Sequence, residues 1–141
     1  MVFEIIETAN SEENLASKIH TFRQQASAFI AIDDFGCAHS NALRLLNISP
    51  EILKVDSFFI RAVHKAPASK RAFLANILLY CRTKGILTVA EGVETPEELA
   101  SVMELGFDLA QGFYLARPEF SLQEMRPELV DEIVALARKT S

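Results

Sequence analysis

Five short apolar runs recur along the chain, and most of them end in a polar or charged residue. They cover residues 2–7, 28–34, 52–56, 86–91 and 109–115. Continuous apolar runs of this length are typical of strands buried between layers of helices, as in parallel sheets. The pattern therefore predicts five buried strands.

The stretches between these runs have helical periodicity. Thr95 is followed by Pro96 and, three residues after the threonine, by Glu98, which is a signature of a helix start. Gly85 and Gly106 stand where helices would end. Helices are predicted at 12–25, 71–84, 95–105 and from 127 onward, with short helical turns at 40–46 and 58–63. Because strands and helices alternate, the sequence predicts an α/β fold of parallel strands with right-handed helical crossovers.

Polar side chains fall at the carboxyl ends of the predicted strands, the rim that carries the active site in a barrel of βα units. The adjacent carboxylates of Asp33 and Asp34 repel each other unless a cation lies between them, and a divalent metal is the obvious candidate. A single pair could equally be a solvated loop acid or a helix cap, but the placement recurs in register. These polar residues are Glu4, Glu7, Asp33, Asp34, Lys54, Asp56, Glu91, Glu94 and Gln111.

Composition narrows the class of protein. The 141 residues are enough for one domain, and 50% apolar with 23% charged residues is ordinary for a soluble globular chain. A net charge of −5 without a Lys/Arg cluster argues against a nucleic-acid polymer as partner. Cys37 and Cys81 have no metal-ligand spacing and are expected to be reduced thiols. With no signal peptide and no run long enough to span a membrane, we expect a cytoplasmic location.

Several segments, in this order and spacing, resemble the EAL domain, the cyclic-di-GMP phosphodiesterase family. The matching segments lie at 3–7, 33–36, 53–56, 90–95 and 111–114, so the resemblance covers residues 1 to about 120. It implies a (βα)8 TIM-type barrel whose enzymes hydrolyse the cyclic dinucleotide to linear pGpG. It further implies Mg²⁺ or Mn²⁺ as cofactor, with Ca²⁺ inhibitory.

The resemblance also implies roles for individual residues. Glu4, Asp33 and Asp34 resemble the family's metal ligands, with Asp33 able to bridge two metals. Lys54 is similar to the lysine that contacts the attacking water and the phosphate, and Glu91 to the proposed general base. The residues that resemble substrate-contacting or supporting positions are Glu7, Glu94 and Gln111.

The chemistry of phosphodiester hydrolysis calls for the same residue types. Carboxylates are natural ligands for the metals that neutralise phosphoryl oxygens and lower the pKa of a bound water. A lysine ammonium adds a positive charge without competing for the metals. A further carboxylate can take a proton from the water.

Two departures from the family pattern keep an alternative function open. The family's opening Glu-Ala-Leu strand and a later ligand asparagine have no counterpart in these residues, and 37–41 differ from the family's usual loop. The alternative is a degenerate module that binds cyclic-di-GMP or a partner domain without hydrolysis. A third interpretation, an enolate-forming barrel enzyme with a carboxylate–lysine site, is disfavoured by the segments at 90–94 and 111–113.

Residues 1–141 are predicted to form a single incomplete domain, the C-terminal part of a barrel. A closed barrel of this type takes about 250 residues, so five strands leave an edge and an apolar inner face open. Such surfaces drive association. We therefore expect a homodimer or swapped assembly, or a longer parent with fused sensory or GGDEF domains. We expect little turnover from these 141 residues alone.

Three residues near the last strand have two interpretations each. Phe113 and Tyr114 could stack on a guanine base or pack structurally. Arg117 could meet a phosphate or lie on the surface.

Overall fold

A five-stranded, entirely parallel sheet forms the centre of the molecule. In this computed structural model the structure describes residues 2–5, 19, 21, 23, 29–36, 41–118 and 124–140. The strands pair in chain order, each with its sequence neighbour. Their bounds are β1 Val2–Ile5, β2 Phe29–Phe35, β3 Ile52–Val55, β4 Leu87–Ala90 and β5 Leu109–Ala110. The predicted parallel α/β class is confirmed.

Helices connect the strands and cover one face of the sheet. They are α1 Asn41–Ile48, α2 Ser57–Ile60, a 3₁₀ turn Val63–Lys65, α3 Ala68–Lys84, α4 Pro96–Leu105 and α5 Pro127–Thr140. The main core lies between helices and sheet. In it, strand residues such as Leu53 and Ala90 pack against Leu74 of α3 and Val102 of α4. The strands carry apolar residues on both faces, although the described helices cover only one of them.

The predicted helix boundaries rest on local chemistry that the structure confirms. The Thr95 hydroxyl accepts from the Glu98 backbone N–H, and the Glu98 carboxylate accepts from the Thr95 N–H, which completes a capping box before α4. Gly85 and Gly106 end α3 and α4 in the left-handed conformation.

The opposite face of the sheet carries the polar rim and, below it, exposed apolar side chains. Because side chains alternate along a strand, residues two positions before the rim residues share their face. Val2 lies below Glu4, and Leu109 lies below Gln111. The large apolar side chains exposed on this face are Val2, Phe29, Leu87 and Leu109. The sheet is thus part of a barrel whose inner face is open.

Three predicted segments differ in length from the observed elements. The predicted strand 109–115 ends at Ala110, because the chain turns there: Ala116 N–H donates to the Gly112 carbonyl, and Tyr114 N–H donates to Val93. α3 begins at Ala68 rather than at residue 71. Its first turn is exposed to solvent and therefore lacks the apolar periodicity from which the helix was predicted. The predicted turn at 58–63 divides into α2 and the 3₁₀ turn.

Some predicted features lie outside the described residues. Of the predicted helix 12–25, only Ile19, Thr21 and Arg23 are described, and all three are helical. Glu7 and the loop residues 37–40 also lie outside. None of the helices in the described ranges has the length and apolar composition needed to cross a lipid bilayer.

Candidate active site

The ammonium group of Lys54 lies among carboxylates from three other strands or strand ends. Its Nζ is 3.1 Å from Glu4 Oε1, 2.9 Å from Asp33 Oδ1 and 2.9 Å from Glu91 Oε1. The Lys54, Asp33 and Glu91 side chains are 13–16% exposed, whereas Glu4 is 49% exposed. The charged side chains at the carboxyl ends of β1 to β4 therefore meet at one point on the rim.

A backbone irregularity in β2 changes the direction of one of two adjacent carboxylates. Neighbouring side chains on a regular strand point to opposite faces. Here Asp34 has a φ of 53°, and the pairing with β3 shifts register between Ile32 and Phe35. The Asp33 Oδ1 accepts from the Asp34 backbone N–H at 3.0 Å. Breaking the alternation allows both carboxylates to reach the same rim.

The carboxylates of Asp33, Asp34 and Glu91 fit a divalent cation. Each offers an oxygen, and these oxygens all lie within 4.8 Å of one another. Hard divalent ions such as Mg²⁺, Mn²⁺ and Ca²⁺ take carboxylate oxygens as ligands. In the described part of the chain this is the group that meets the spacing for metal ligands.

The charges at this rim perturb one another. Burial together with the negative charges of Asp33 and Asp34 raises the pKa of Glu91, although Lys54 opposes the shift. Burial and then the neighbouring Asp33 raise the pKa of Asp34. Burial disfavours the Lys54 ammonium, but hydrogen bonds to Asp33, Glu91 and Glu4 outweigh it and raise the pKa of Lys54. The rim holds more negative charge than one lysine balances, which favours a bound cation.

Gln111 extends the cluster toward the last strand. Its Nε2 donates to Glu91 Oε1 at 2.7 Å. The backbone places both residues, because Glu91 N–H donates to the Val55 carbonyl and Gln111 N–H donates to the Ala90 carbonyl. Sheet-like hydrogen bonding thus continues past the strand ends, and it fixes this pair at the rim.

Glu94 lies beside the cluster and pairs with a residue that sequence reasoning missed. Arg61 Nη2 donates to Glu94 Oε1 at 3.2 Å. The loop that carries Glu94 is held by Glu98, whose carboxylate accepts from the backbone N–H groups of Glu94, Thr95 and Ala62 at 2.9, 3.2 and 2.8 Å. Burial disfavours the charged form of the Glu98 carboxylate, but the hydrogen bonds from these backbone N–H groups outweigh burial and lower the pKa of Glu98. The capping-box spacing signals part of this role for Glu98; no spacing rule signals Arg61.

A cleft of about 580 Å³ adjoins the carboxylate cluster. Gln111 belongs to both, because it lines the cleft and donates to Glu91. The other lining residues come from α2, the loop after β4 and the turn after β5: Ser57, Arg61, Gly92, Glu94, Gly112, Phe113, Ala116, Arg117 and Pro118. We call this space the rim cleft.

Of the eight predicted site residues, the structure brings six into one network of contacts at the rim. Glu94 lines the adjoining rim cleft, and Glu7 lies outside the described residues. The six residues of the network are Glu4, Asp33, Asp34, Lys54, Glu91 and Gln111.

A parallel half-barrel with an acidic rim and a central lysine defines a candidate metal-dependent active site of a barrel protein. The EAL domain model matches residues 1–118, so the chain belongs to the EAL domain family. A probable cyclic di-GMP phosphodiesterase, PdeN of Escherichia coli, is 35% identical over 118 residues, covering 84% of this chain and 23% of PdeN.

Solved structures agree with this assignment. A standalone EAL protein from Vibrio cholerae in its c-di-GMP-bound form has a TM-score of 0.74 and 31% identity, covering 92% of this chain and 55% of that one. BlrP1 of Klebsiella pneumoniae in complex with manganese and cyclic-di-GMP has a TM-score of 0.73 and 34% identity, covering 83% and 30%. The chain therefore spans about half of the standalone EAL protein and less than a quarter of PdeN.

Proposed function

We propose that the chain forms the C-terminal part of a cyclic-di-GMP phosphodiesterase domain, which hydrolyses the cyclic dinucleotide to linear pGpG by water attack. The observation that carries the proposal is the rim itself. Lys54 lies between carboxylates of separate strands, and Asp33, Asp34 and Glu91 face one another at the separation of metal ligands. The named activity of PdeN and the cyclic dinucleotide in two related structures support it.

Divalent metal at this site would be held by Asp33 and Asp34, with Glu4 as a further ligand in the complete barrel. Glu91, which offers an oxygen within 4.8 Å of both aspartates, would face the attacking water. When bound, such a metal neutralises charge on phosphoryl oxygens and lowers the pKa of water. Manganese is supported by the BlrP1 complex. Magnesium as an alternative cofactor, and inhibition by calcium, are parts of the proposal that follow from the family resemblance.

Residues of the chain carry out proton transfer, orientation of the base and positioning of the substrate. Glu91 takes a proton from the attacking water, a task that suits a carboxylate whose pKa is raised by burial. Gln111 orients that carboxylate by donating to its Oε1. Lys54 positions the water and a phosphoryl oxygen by exchanging its bond to the more exposed Glu4 for them, since its three N–H donors are all engaged by carboxylates. Its ammonium offsets charge that develops there. Glu94 and Glu7 would support substrate or loop positions.

A hydrolysis assay of the whole protein with Mn²⁺ tests the assignment. We expect Glu91→Gln to lower kcat on cyclic-di-GMP at least about 100-fold, because glutamine cannot accept the proton. Glu128→Gln on α5 is the matched control, since that residue is exposed and far along the chain from the rim. Near-equal rates for Glu91→Gln and the control would refute the role of general base.

The second candidate is a degenerate module that binds cyclic-di-GMP, or a partner domain, without hydrolysis. The observation that favours it is the sequence 37–41, which departs from the family's usual loop. Calorimetry in Ca²⁺ separates the two candidates when combined with the hydrolysis assay. Binding without hydrolysis in Mg²⁺ or Mn²⁺ would favour the module.

Assembly is a further part of the proposal. The exposed side chains Val2, Phe29, Leu87 and Leu109 on the open sheet face support association. The candidates are a homodimer, a swapped assembly or a longer parent with sensory or GGDEF domains. Little turnover is expected from the 141 residues alone, and a cytoplasmic location stays a prediction from sequence.

A further inference from the structure

The turn that carries Gln111 is attached to the last helix through the side chain of Tyr114. We infer that Tyr114 and Glu132 are positioning residues, whose contact clamps the turn 111–116 to α5. This contact, which we call the turn clamp, holds Gln111 where it donates to Glu91. The inference rests on the proposed function, because Gln111 serves catalysis by orienting Glu91. It also assigns Tyr114 to packing, one of the two interpretations that the sequence left open.

The contact between Tyr114 and Glu132 is a short, charge-assisted hydrogen bond. The Tyr114 hydroxyl donates to Glu132 Oε2 at 2.5 Å, a length typical of a hydroxyl donor and a carboxylate. This bond, and burial after it, raise the pKa of Tyr114, so the hydroxyl keeps its proton at neutral pH. Arg126, which precedes α5, donates from Nη2 to the Tyr114 carbonyl at 3.0 Å. The side chain and the main chain of Tyr114 are therefore both held from the region of α5.

α5 is a firm support for the turn because it is anchored in the main core. Leu129 is 3% exposed and belongs to that core, and Ile133 and Leu136 pack against it. These three residues recur at helical spacing, so they lie on one face of the helix. Glu132 is half-buried at the edge of this face, between Leu129 and Leu136 along the chain. Its carboxylate is thus held in place by the packing of the helix.

The turn has little freedom to absorb a movement of Tyr114. The Val93 N–H donates to the Gln111 carbonyl, and the Tyr114 N–H donates to the Val93 carbonyl. Within the turn, the Ala116 N–H donates to the Gly112 carbonyl. A Cβ on Gly112 would lie 2.1 Å from the Val93 carbonyl oxygen, so turn and loop are already in close contact. A displacement of Tyr114 therefore carries Gln111 with it.

The position of Gln111 matters because of the oxygen that it contacts. Glu91 Oε1 lies 2.7 Å from Gln111 Nε2 and 2.9 Å from Lys54 Nζ. If Gln111 moves away, Lys54 alone holds this oxygen, and the carboxylate gains freedom to rotate. Proton transfer depends on the geometry of the base, so the loss should appear in kcat and not in KM.

Hydrogen exchange measured by mass spectrometry on the whole protein tests the turn clamp without metal or substrate. Tyr114→Phe removes the donor and keeps the half-buried ring, and Glu132→Met removes the acceptor at similar side-chain length. We expect each to speed exchange of the amides in 111–116 about three- to tenfold, as for the loss of one hydrogen bond, and to leave exchange in α3 unchanged. Glu132→Gln keeps an acceptor oxygen and should restore most of the protection.

Steady-state hydrolysis of cyclic-di-GMP in Mn²⁺ tests the positioning role. We expect Tyr114→Phe and Glu132→Met each to lower kcat about fivefold and to change KM less than about twofold. Both effects on kcat should disappear in a Gln111→Ala background, because the clamp acts through that residue. A contact that only stabilised the fold would lower kcat equally in both backgrounds.

Two controls match the substitutions. Tyr80 is a half-buried tyrosine on α3, and Glu128 is an exposed acid in the first turn of α5. Tyr80→Phe and Glu128→Met are expected to leave kcat and the exchange of 111–116 within about twofold of the unaltered protein. The positioning role is refuted if Tyr114→Phe and Glu132→Met exchange like these controls. It is equally refuted if their loss of kcat persists undiminished beside Gln111→Ala.

The two measurements separate the turn clamp from the proposed function. Failure of the unaltered protein to hydrolyse cyclic-di-GMP would refute the phosphodiesterase activity, and the exchange rates alone would then decide whether the clamp exists. Conversely, active protein whose exchange and kcat are insensitive to both substitutions would refute the clamp and leave the catalytic proposal standing.

Discussion

Replacing Glu98 with glutamine should destabilise the protein by about 3 kcal/mol at neutral pH. The buried Glu98 carboxylate accepts from the backbone N–H groups of Ala62, Glu94 and Thr95. The glutamine amide keeps one acceptor oxygen, so its NH₂ group must face at least one of these donors. One unsatisfied buried donor costs about 1–3 kcal/mol, and the remaining bonds lose the charge that strengthened them.

Urea unfolding followed by far-ultraviolet circular dichroism measures this loss. Glu97→Gln is the matched control, because it makes the same change one position earlier, on an exposed residue in the same helical turn. A free energy of unfolding for Glu98→Gln within about 0.5 kcal/mol of the Glu97→Gln value would refute the reasoning.

The pH dependence of this effect has a definite sign. The pKa of Glu98 is lowered in the folded protein, so its charge stabilises the fold above the unfolded-state value of about 4.3. That contribution is lost as the pH falls through the lower folded-state pKa. The difference between the unaltered protein and Glu98→Gln should therefore shrink in acid, and a constant difference would contradict the assignment.

Two further substitutions test the rim and its cleft, and Gly85→Ala at the end of α3 serves as the control for the first. Gly112→Ala places a Cβ 2.1 Å from the Val93 carbonyl oxygen and should destabilise the protein by more than about 3 kcal/mol. Gly85→Ala meets no atom within 4 Å, so in the same urea assay it should lose only the roughly 1–2 kcal/mol of left-handed strain, and equal losses would contradict the steric argument. Lys54→Met should cost about 2 kcal/mol in EDTA at neutral pH, because Asp33 and Glu91 lose their shared cation. Part of the lost stability should be recovered in mild acid, where protonation relieves the repulsion between carboxylates. A loss of stability independent of pH would count against carboxylate repulsion as its cause.

Features governed by local chemistry could be predicted from sequence. The capping box at Thr95 and the terminal Gly85 and Gly106 act over three or four residues, so spacing alone reveals them. The acidic residues at strand ends were also predictable, because parallel strands place their carboxyl ends on one rim. The last strand was predicted too long, since its apolar composition continues after Gly112, where the chain turns against Val93.

Features that depend on tertiary contacts could not be predicted. The left-handed conformation of Asp34 arises at a shift in strand pairing, which no local pattern marks. The pairing of Arg61 with Glu94 joins residues 33 positions apart. Glu98 was recognisable as a cap for its own helix, but its bond to Ala62 depends on how the 3₁₀ turn packs against α4.

The backbone can support a crowded acidic rim because its placement does not depend on the acids' mutual contacts. Beyond the strand ends, Asp56 N–H donates to the Phe35 carbonyl, Glu91 N–H to Val55 and Gln111 N–H to Ala90. These main-chain bonds hold the rim residues in place despite the repulsion of neighbouring carboxylates. The carboxylates therefore stay close enough to repel one another, which favours a bound cation and, together with burial, raises the pKa of Glu91. Substitutions of rim side chains should consequently change metal affinity, proton transfer and charge pairing while the strands keep their positions.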